Sequence, residues 1–151
     1  MRFFVKTLSS VLGLGYVPFA PGTWGTLGGA IFWYFVMREL PLYIYVAWTV
    51  VICVLSCYIA GLAEKAYGKE DDQRIVIDEF CGFLVTMIGI NGGFYWGFAG
   101  FVLFRLFDIS KPYPIRRFES LPHGIGVVAD DVMAGVYGCV ILNLARYFLV
   151  R

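Results

Sequence analysis

Three short stretches set carboxylates directly against apolar runs. VIDEFCGFLVTMIGI (Val76 to Ile90) carries Asp78 and Glu79, FRLFDISKP (Phe104 to Pro112) carries Asp108, and VVADDVMAGVYG (Val127 to Gly138) carries Asp130 and Asp131. A carboxylate at the centre of a bilayer costs roughly 2.5–3.5 kcal/mol on insertion scales, and such residues are retained chiefly for function. Brought to one face, these acids could hold a divalent cation: Mg²⁺ takes oxygen ligands, usually one or two carboxylates with waters and substrate phosphate. Each acid also has an ordinary use, since Asp130 suits a helix N-cap and Asp131 suits a helix N-terminus. As a set packed against apolar helices they are better explained as a site. Basic groups follow closely. Arg105 lies one turn before Asp108, which can pair with it at i+3 inside an apolar helix. Lys111, Arg116, Arg117 and His123 come next, the two arginines being suited to anionic lipid headgroups. Metal-held acids beside cationic side chains are the parts that phosphoryl chemistry requires.

Other phosphatase designs do not fit. A Cys-x5-Arg loop fails because Met87 and Ala145 stand where the arginine would follow Cys81 and Cys139. A histidine-nucleophile enzyme needs more than one histidine, and the chain has only His123; an Asp-x-Asp pair is absent because Asp108 is followed by ISK. Cys53, Cys57, Cys81 and Cys139 all lie in apolar stretches without a zinc-type pattern and read as small hydrophobes. Metal-assisted hydrolysis through carboxylates survives the comparison.

The elements that must position these groups are apolar. Of 151 residues, 60% are hydrophobic and 15% charged, against about 45–50% and about 25% in ordinary soluble domains. The expected partner is membrane lipid, and a net charge of +1 gives no reason to expect nucleic acid. Arg2 and Lys6 ahead of apolar residues resemble a signal peptide, but without a small-x-small cleavage site the segment is expected to stay as an interfacial helix over Arg2 to Leu12. Apolar segments run over Thr26 to Met37, Leu42 to Leu62, Ile75 to Ile90, Phe94 to Phe107 and Asp131 to Val150. Only Leu42 to Leu62 is an uninterrupted apolar stretch near the ~20 residues a spanning helix needs. Charged Glu64 to Arg74, the NGG turn at Asn91 to Gly93 and the loop Asp108 to Asp130 separate the others. The expected fold is all-α: a helical integral membrane protein, one domain over residues 1–151, with about four to five membrane-embedded helices and a short N-terminal interfacial helix. With the N-terminus inside, Arg2, Lys6, Lys65, Lys69, Arg74, Lys111, Arg116 and Arg117 fall on the cytoplasmic side and Arg38 and Arg151 outside. All the acidic motifs then share the cytoplasmic face.

PGTWGT (Pro21 to Thr26), VIDEFCG (Val76 to Gly82), FRLFDISKPYPI (Phe104 to Ile115) and GVVADDVMAGVYG (Gly126 to Gly138) together resemble the signature of the phosphatidylglycerophosphatase A family, in the family's order. The resemblance implies a Mg²⁺-dependent phosphatase of the bacterial inner membrane. It would remove the terminal phosphate of phosphatidylglycerophosphate to give phosphatidylglycerol and inorganic phosphate, and it would be helical. Carried over by motif, Asp78, Glu79, Asp130 and Asp131 are expected to hold Mg²⁺, with Asp108 a ligand or the base that orients water. Arg105 and Lys111 would hold the phosphomonoester, and Thr23 and Thr26 would bind substrate in a glycine-bearing block whose backbone can approach phosphate. A water on the metal is the preferred nucleophile and an aspartyl-phosphate on Asp108 the alternative. His123 either protonates the leaving glycerol oxygen or is merely solvated. Two rivals are a CDP-alcohol phosphotransferase, whose Asp-Gly and Ala-Arg pattern DDVMAG lacks, and a non-enzymatic cation carrier, whose acids belong nearer the bilayer midplane. Gly89, Gly92, Gly93, Gly97 and Gly100 permit close helix approach and would equally serve a homo-oligomer.

Overall fold

The computed structural model describes residues 2–118, 120–121 and 124–149. In order they form α1 (Arg2–Ser9), a 3-10 turn (Leu14–Tyr16), α2 (Pro21–Phe32) continued by a π turn (Trp33–Met37), α3 (Leu42–Tyr67), α4 (Ile77–Thr86), α5 (Phe94–Ser110), α6 (Ile115–Phe118) and α7 (Gly124–Leu149). Among the described residues there is no strand, as the sequence leads one to expect. Two helices, α3 and α7, are long and apolar enough to cross a membrane.

The centre of the fold is α4, which departs most from expectation. The apolar stretch Ile75 to Ile90 reads as a crossing, yet only ten of its residues are helical, about 15 Å at 1.5 Å per residue against a hydrocarbon core of about 30 Å. The helix stops because Met87 to Ile90 form a turn in which Gly89 takes φ +81°, a conformation open to glycine. Instead of facing lipid, α4 is buried by its neighbours: Phe83, Leu84 and Met87 are fully enclosed with Trp33, Phe104 and Leu142. One carbonyl of its last turn and two of the turn that follows are satisfied from α3 and α7. Tyr45 donates to Leu84 O at 2.7 Å, Asn143 Nδ2 donates to Ile88 O at 2.9 Å, and the Arg146 guanidinium donates to Gly89 O. Without such donors a helix end in an apolar bundle would leave carbonyls unpaired at several kcal/mol each.

Small residues let the neighbours close on α4. A Cβ at Gly25 would lie 2.6 Å from Val76 Cβ, one at Gly29 would lie 2.9 Å from Phe80 O, and one at Gly135 would lie 2.4 Å from Gly82 O. The helix contacts are therefore made by glycines of α2, α4 and α7. Gly97 and Gly100, read from sequence as helix-approach or oligomer positions, are occupied internally by Trp33 and Met87. The N-terminal helix ends at Ser9 rather than Leu12, because Val11 and Leu12 take φ values of 47° and 58°. Its Phe3 and Phe4 are exposed, which suits an interfacial helix.

Gly135→Ala forces α7 off the α4 backbone and should cost about 1–3 kcal/mol in reversible unfolding in detergent. Gly93→Ala, where no atom lies within 4 Å of the added Cβ and only the N-cap preference of α5 is affected, should lower the midpoint by less. Equal midpoints for both variants would contradict the packing described.

Candidate active site

The N-terminal turn of α4, the last turns of α5, the second turn of α7 and the start of α2 enclose a cavity of about 720 Å³. Asp78 and Glu79 occupy the first turn of α4, where the exposed N–H groups and macrodipole favour negative charge; Asp78 Oδ1 accepts the Glu79 N–H at 3.0 Å. Arg105 and Asp108 share a face of α5 at i, i+3, and the guanidinium is ion-paired to the Asp108 carboxylate. The same Arg105 Nη1 lies 4.0 Å from Glu79 Oε1, so it links α5 to α4. Lys111 closes α5 in the left-handed conformation, φ 41°, and its Nζ donates to Asp130 Oδ2 at 2.7 Å, linking α5 to α7.

Three carboxylates converge. Asp78, Glu79 and Asp131 offer oxygens that lie within 4.8 Å of one another, and Asp78 and Asp131 are 6% and 4% exposed. Glu79 Oε2 and Asp130 Oδ1 are buried with no hydrogen-bond partner among the described residues. Crowded oxygens, orphaned lone pairs and the lack of a sulfur or imidazole donor in the triplet fit a hard divalent cation such as Mg²⁺. Asp130, the fourth acid of the expected set, lies outside that close triplet: its Oδ2 accepts from Lys111. Nor does α7 begin at these acids, since it starts at Gly124 and carries Asp130 and Asp131 in its second turn. Asp130 is therefore inside the helix rather than at its N-cap.

The PGTWGT block is helical from Pro21, the favoured first position. It contributes Pro21 and Gly22 to the cavity wall, while Thr23 and Thr26 are not among the residues lining it. Thr26 is fully buried and donates its hydroxyl to Gly22 O at 2.8 Å. Gly22 is the group with a steric reason to be there, because a Cβ would meet Glu79 Oε1 at 2.1 Å and Arg105 Nη1 at 3.1 Å. Arg116 and Arg117 lie outside the cavity, with the Arg117 guanidinium over the Tyr113 ring at 4.9 Å. His123 lies outside the described residues.

The segment before α4 supplies wall residues that sequence reading passed over. Glu64 to Arg74 reads only as charged and water-facing, yet Asp71 and Gln73 line the cavity. Between them Asp72 accepts two bonds from the Arg74 guanidinium, at 2.7 and 2.8 Å, and one from the Arg74 N–H at 3.1 Å, which hold its carboxyl below the usual range. A run of mixed charge carries no signal that two of its members turn inward.

The sequence profile described as Phosphatidylglycerophosphatase A matches residues 7–146. The chain belongs to the phosphatidylglycerophosphatase A family. A protein of that name from Haemophilus influenzae is 35% identical over 148 residues, covering 97% of this chain and 91% of the relative. One from Escherichia coli is 38% identical over 132 residues, covering 86% and 76%. A Bacteroides thetaiotaomicron protein named putative phosphatidylinositol-3-phosphatase is 36% identical over 155 residues, covering 97% and 96%. No solved structure matches the chain. All four blocks that resemble the phosphatidylglycerophosphatase A signature contribute to the cavity wall, the PGTWGT block through Pro21 and Gly22 rather than its threonines.

Gly22→Ala should displace Glu79 and Arg105 by about an ångström and lower phosphatase activity by about one to two orders of magnitude, with helix content by circular dichroism unchanged. Full activity in a folded variant would remove Glu79 and Arg105 from the site.

Proposed function

We propose that the chain is a Mg²⁺-dependent lipid phosphatase that hydrolyses the terminal phosphate of phosphatidylglycerophosphate to phosphatidylglycerol and inorganic phosphate. The observation that carries the reading is the buried Asp78, Glu79 and Asp131 triplet in one cavity with Arg105, Asp108 and Lys111, in a family whose relatives bear that activity in their names. Asp78, Glu79 and Asp131 would hold Mg²⁺, with Asp130 beside them; bound there, the ion would neutralise charge on the transferring phosphoryl group.

The remaining steps belong to side chains. Arg105 keeps further N–H donors beyond those committed to carboxylates, in the fork geometry that suits phosphate oxygens. Lys111 adds a second positive charge. Asp108, fixed by Arg105, is placed to orient a water and take its proton, or to attack phosphorus itself. In the water route the new oxygen–phosphorus bond forms as the phosphorus–glycerol oxygen bond breaks, and a proton goes to the leaving oxygen. Thr23 and His123 are secondary candidates for holding the headgroup and protonating that oxygen.

The membrane assignment extends from α3 and α7. The cavity lies at the end of the bundle that carries Lys65, Lys69, Arg74, Lys111, Arg116 and Arg117, whereas Arg38 lies at the other end of α2. By the positive-inside rule the cavity faces the cytoplasm. The shorter helices α2, α4 and α5 would sit within the membrane against these two spans, making one multi-pass domain of the bacterial inner membrane. The Bacteroides relative favours a second reading, in which the headgroup is a phosphoinositide.

Phosphate release from phosphatidylglycerophosphate and from phosphatidylinositol 3-phosphate in micelles, with and without Mg²⁺, separates these. The expected result is Mg²⁺-dependent release from the glycerophosphate lipid, reduced by about two orders of magnitude or more in Asp131→Asn. Release from the inositol lipid alone would move the assignment to the second reading, and full activity with unchanged Mg²⁺ dependence in Asp131→Asn would remove that residue from the metal set.

A further inference from the structure

Beside the acidic cavity, α2 with its π turn and α5 wall a second space of about 520 Å³. It is apolar: Leu27, Ile31 and Phe35 line it from one helix and Phe94, Phe98 and Phe101 from the other, and no charged side chain joins them. The two spaces are built on the same two helices, and on one face of α5. Along α5, Phe94, Phe98, Phe101, Arg105 and Asp108 are spaced alternately by four and three residues, one continuous stripe. Along α2, Pro21 and Gly22 line the acidic cavity, and Leu27, Ala30 and Tyr34, further on in the same helix and its π turn, line the groove. The stripe that ends in the ion-paired Arg105 therefore begins in the aromatic groove. From Arg105 to Phe98 is about 10 Å along the axis, the reach of a glycerol–phosphate–glycerol headgroup.

The groove is open sideways and has a fixed floor. Ile31, Phe35 and Phe98 are half-exposed or more, whereas Trp33 is 1% exposed and packs edge-on against Phe83 at 6.5 Å. Gly97 leaves room for that indole, since a Cβ there would sit 2.9 Å from the Trp33 ring. The groove thus lies further along α2 and α5 from the acidic cavity and opens on the side of the bundle.

We propose that this groove seats an acyl chain of the lipid whose phosphate enters the acidic cavity. The inference rests on the lipid-phosphatase reading above and adds to it how the tail is held. Transfer of a chain from bilayer to groove gains little from the hydrophobic effect, because both surroundings are apolar. The groove acts by packing and orientation, fixing the headgroup relative to Asp108 and Arg105.

The test uses the whole protein and two forms of phosphatidylglycerophosphate, one with long acyl chains and one with short chains that end before the groove. Ile31→Trp fills the slot from an exposed position, and Val140→Trp places the same bulk on an exposed face of α7 away from it. The ratio of kcat/KM for long-chain to short-chain substrate should fall about tenfold in Ile31→Trp and stay unchanged in Val140→Trp. A ratio that is unchanged in both, or shifted equally by both, overturns the proposal. Independently, phosphatidylglycerol with a photoreactive group in mid-chain should label the segments Leu27–Phe35 and Phe94–Phe101, and unlabelled long-chain substrate should compete that labelling away. Labelling confined to α3 and α7, or not displaced by competitor, also overturns it. If wild type releases phosphate from neither substrate, the phosphatase reading fails, and the labelling still decides the groove.

Discussion

Burying adjacent carboxylates inside an apolar bundle is costly unless charge and hydrogen bonds compensate it locally, and the first turn of α4 is where this fold meets that constraint. Asp78 and Glu79 are held at a helix N-terminus, with Arg105 reaching Glu79 from α5 and Asp131 brought close from α7. The compensation is incomplete within the described residues. Glu79 Oε2 and Asp130 Oδ1 keep unpaired lone pairs, and three acidic oxygens crowd one another. In the proposed function, a divalent cation completes the cluster.

The rest of the architecture serves to bring a short helix deep among longer ones. α4 can be only ten residues long because other elements do for it what lipid cannot: Tyr45 takes a carbonyl of its last turn, and Asn143 and Arg146 take carbonyls of the turn that follows. Glycines on α2 and α7 allow backbone contact, which fixes the depth and rotation of α4 and so the placement of its acids. α3 and α7 supply the length and the apolar surface that a bilayer requires. Buried polar groups at one end of α4 thus depend on small residues along its flanks and on amide and guanidinium donors at the other end.

Much of this was legible in residue types. The acids that meet in the cavity sit beside apolar runs, and an arginine three residues from Asp108 on an apolar helix implies the pair that forms. Leu42 begins α3 as its apolar pattern predicts, though the helix runs on to Tyr67 because Glu64 and Lys65 continue it as readily as apolar residues do. Other features had no local signal. Gly124 and Gly126 read as loop, so α7 was expected to start at Asp131, and tertiary packing against Gly61 and Cys57 carries the helix back to Gly124. The length of α4 was hidden for a similar reason: sixteen apolar-rich residues do not reveal whether lipid or protein surrounds them. The sorting of Asp130 to Lys111 and of Asp131 to the triplet depends on helix rotation, and adjacent identical residues cannot express it.

The central claim is that Asp78, Glu79 and Asp131 form one divalent-cation site. It is tested most directly by titrating Mn²⁺, as a paramagnetic stand-in for Mg²⁺, into detergent-solubilised protein and following free Mn²⁺ by electron paramagnetic resonance. The account predicts saturable binding that Mg²⁺ displaces and that Glu79→Gln weakens by at least about tenfold. Wild-type protein that leaves Mn²⁺ free throughout, or Glu79→Gln that binds as wild type does, would contradict it.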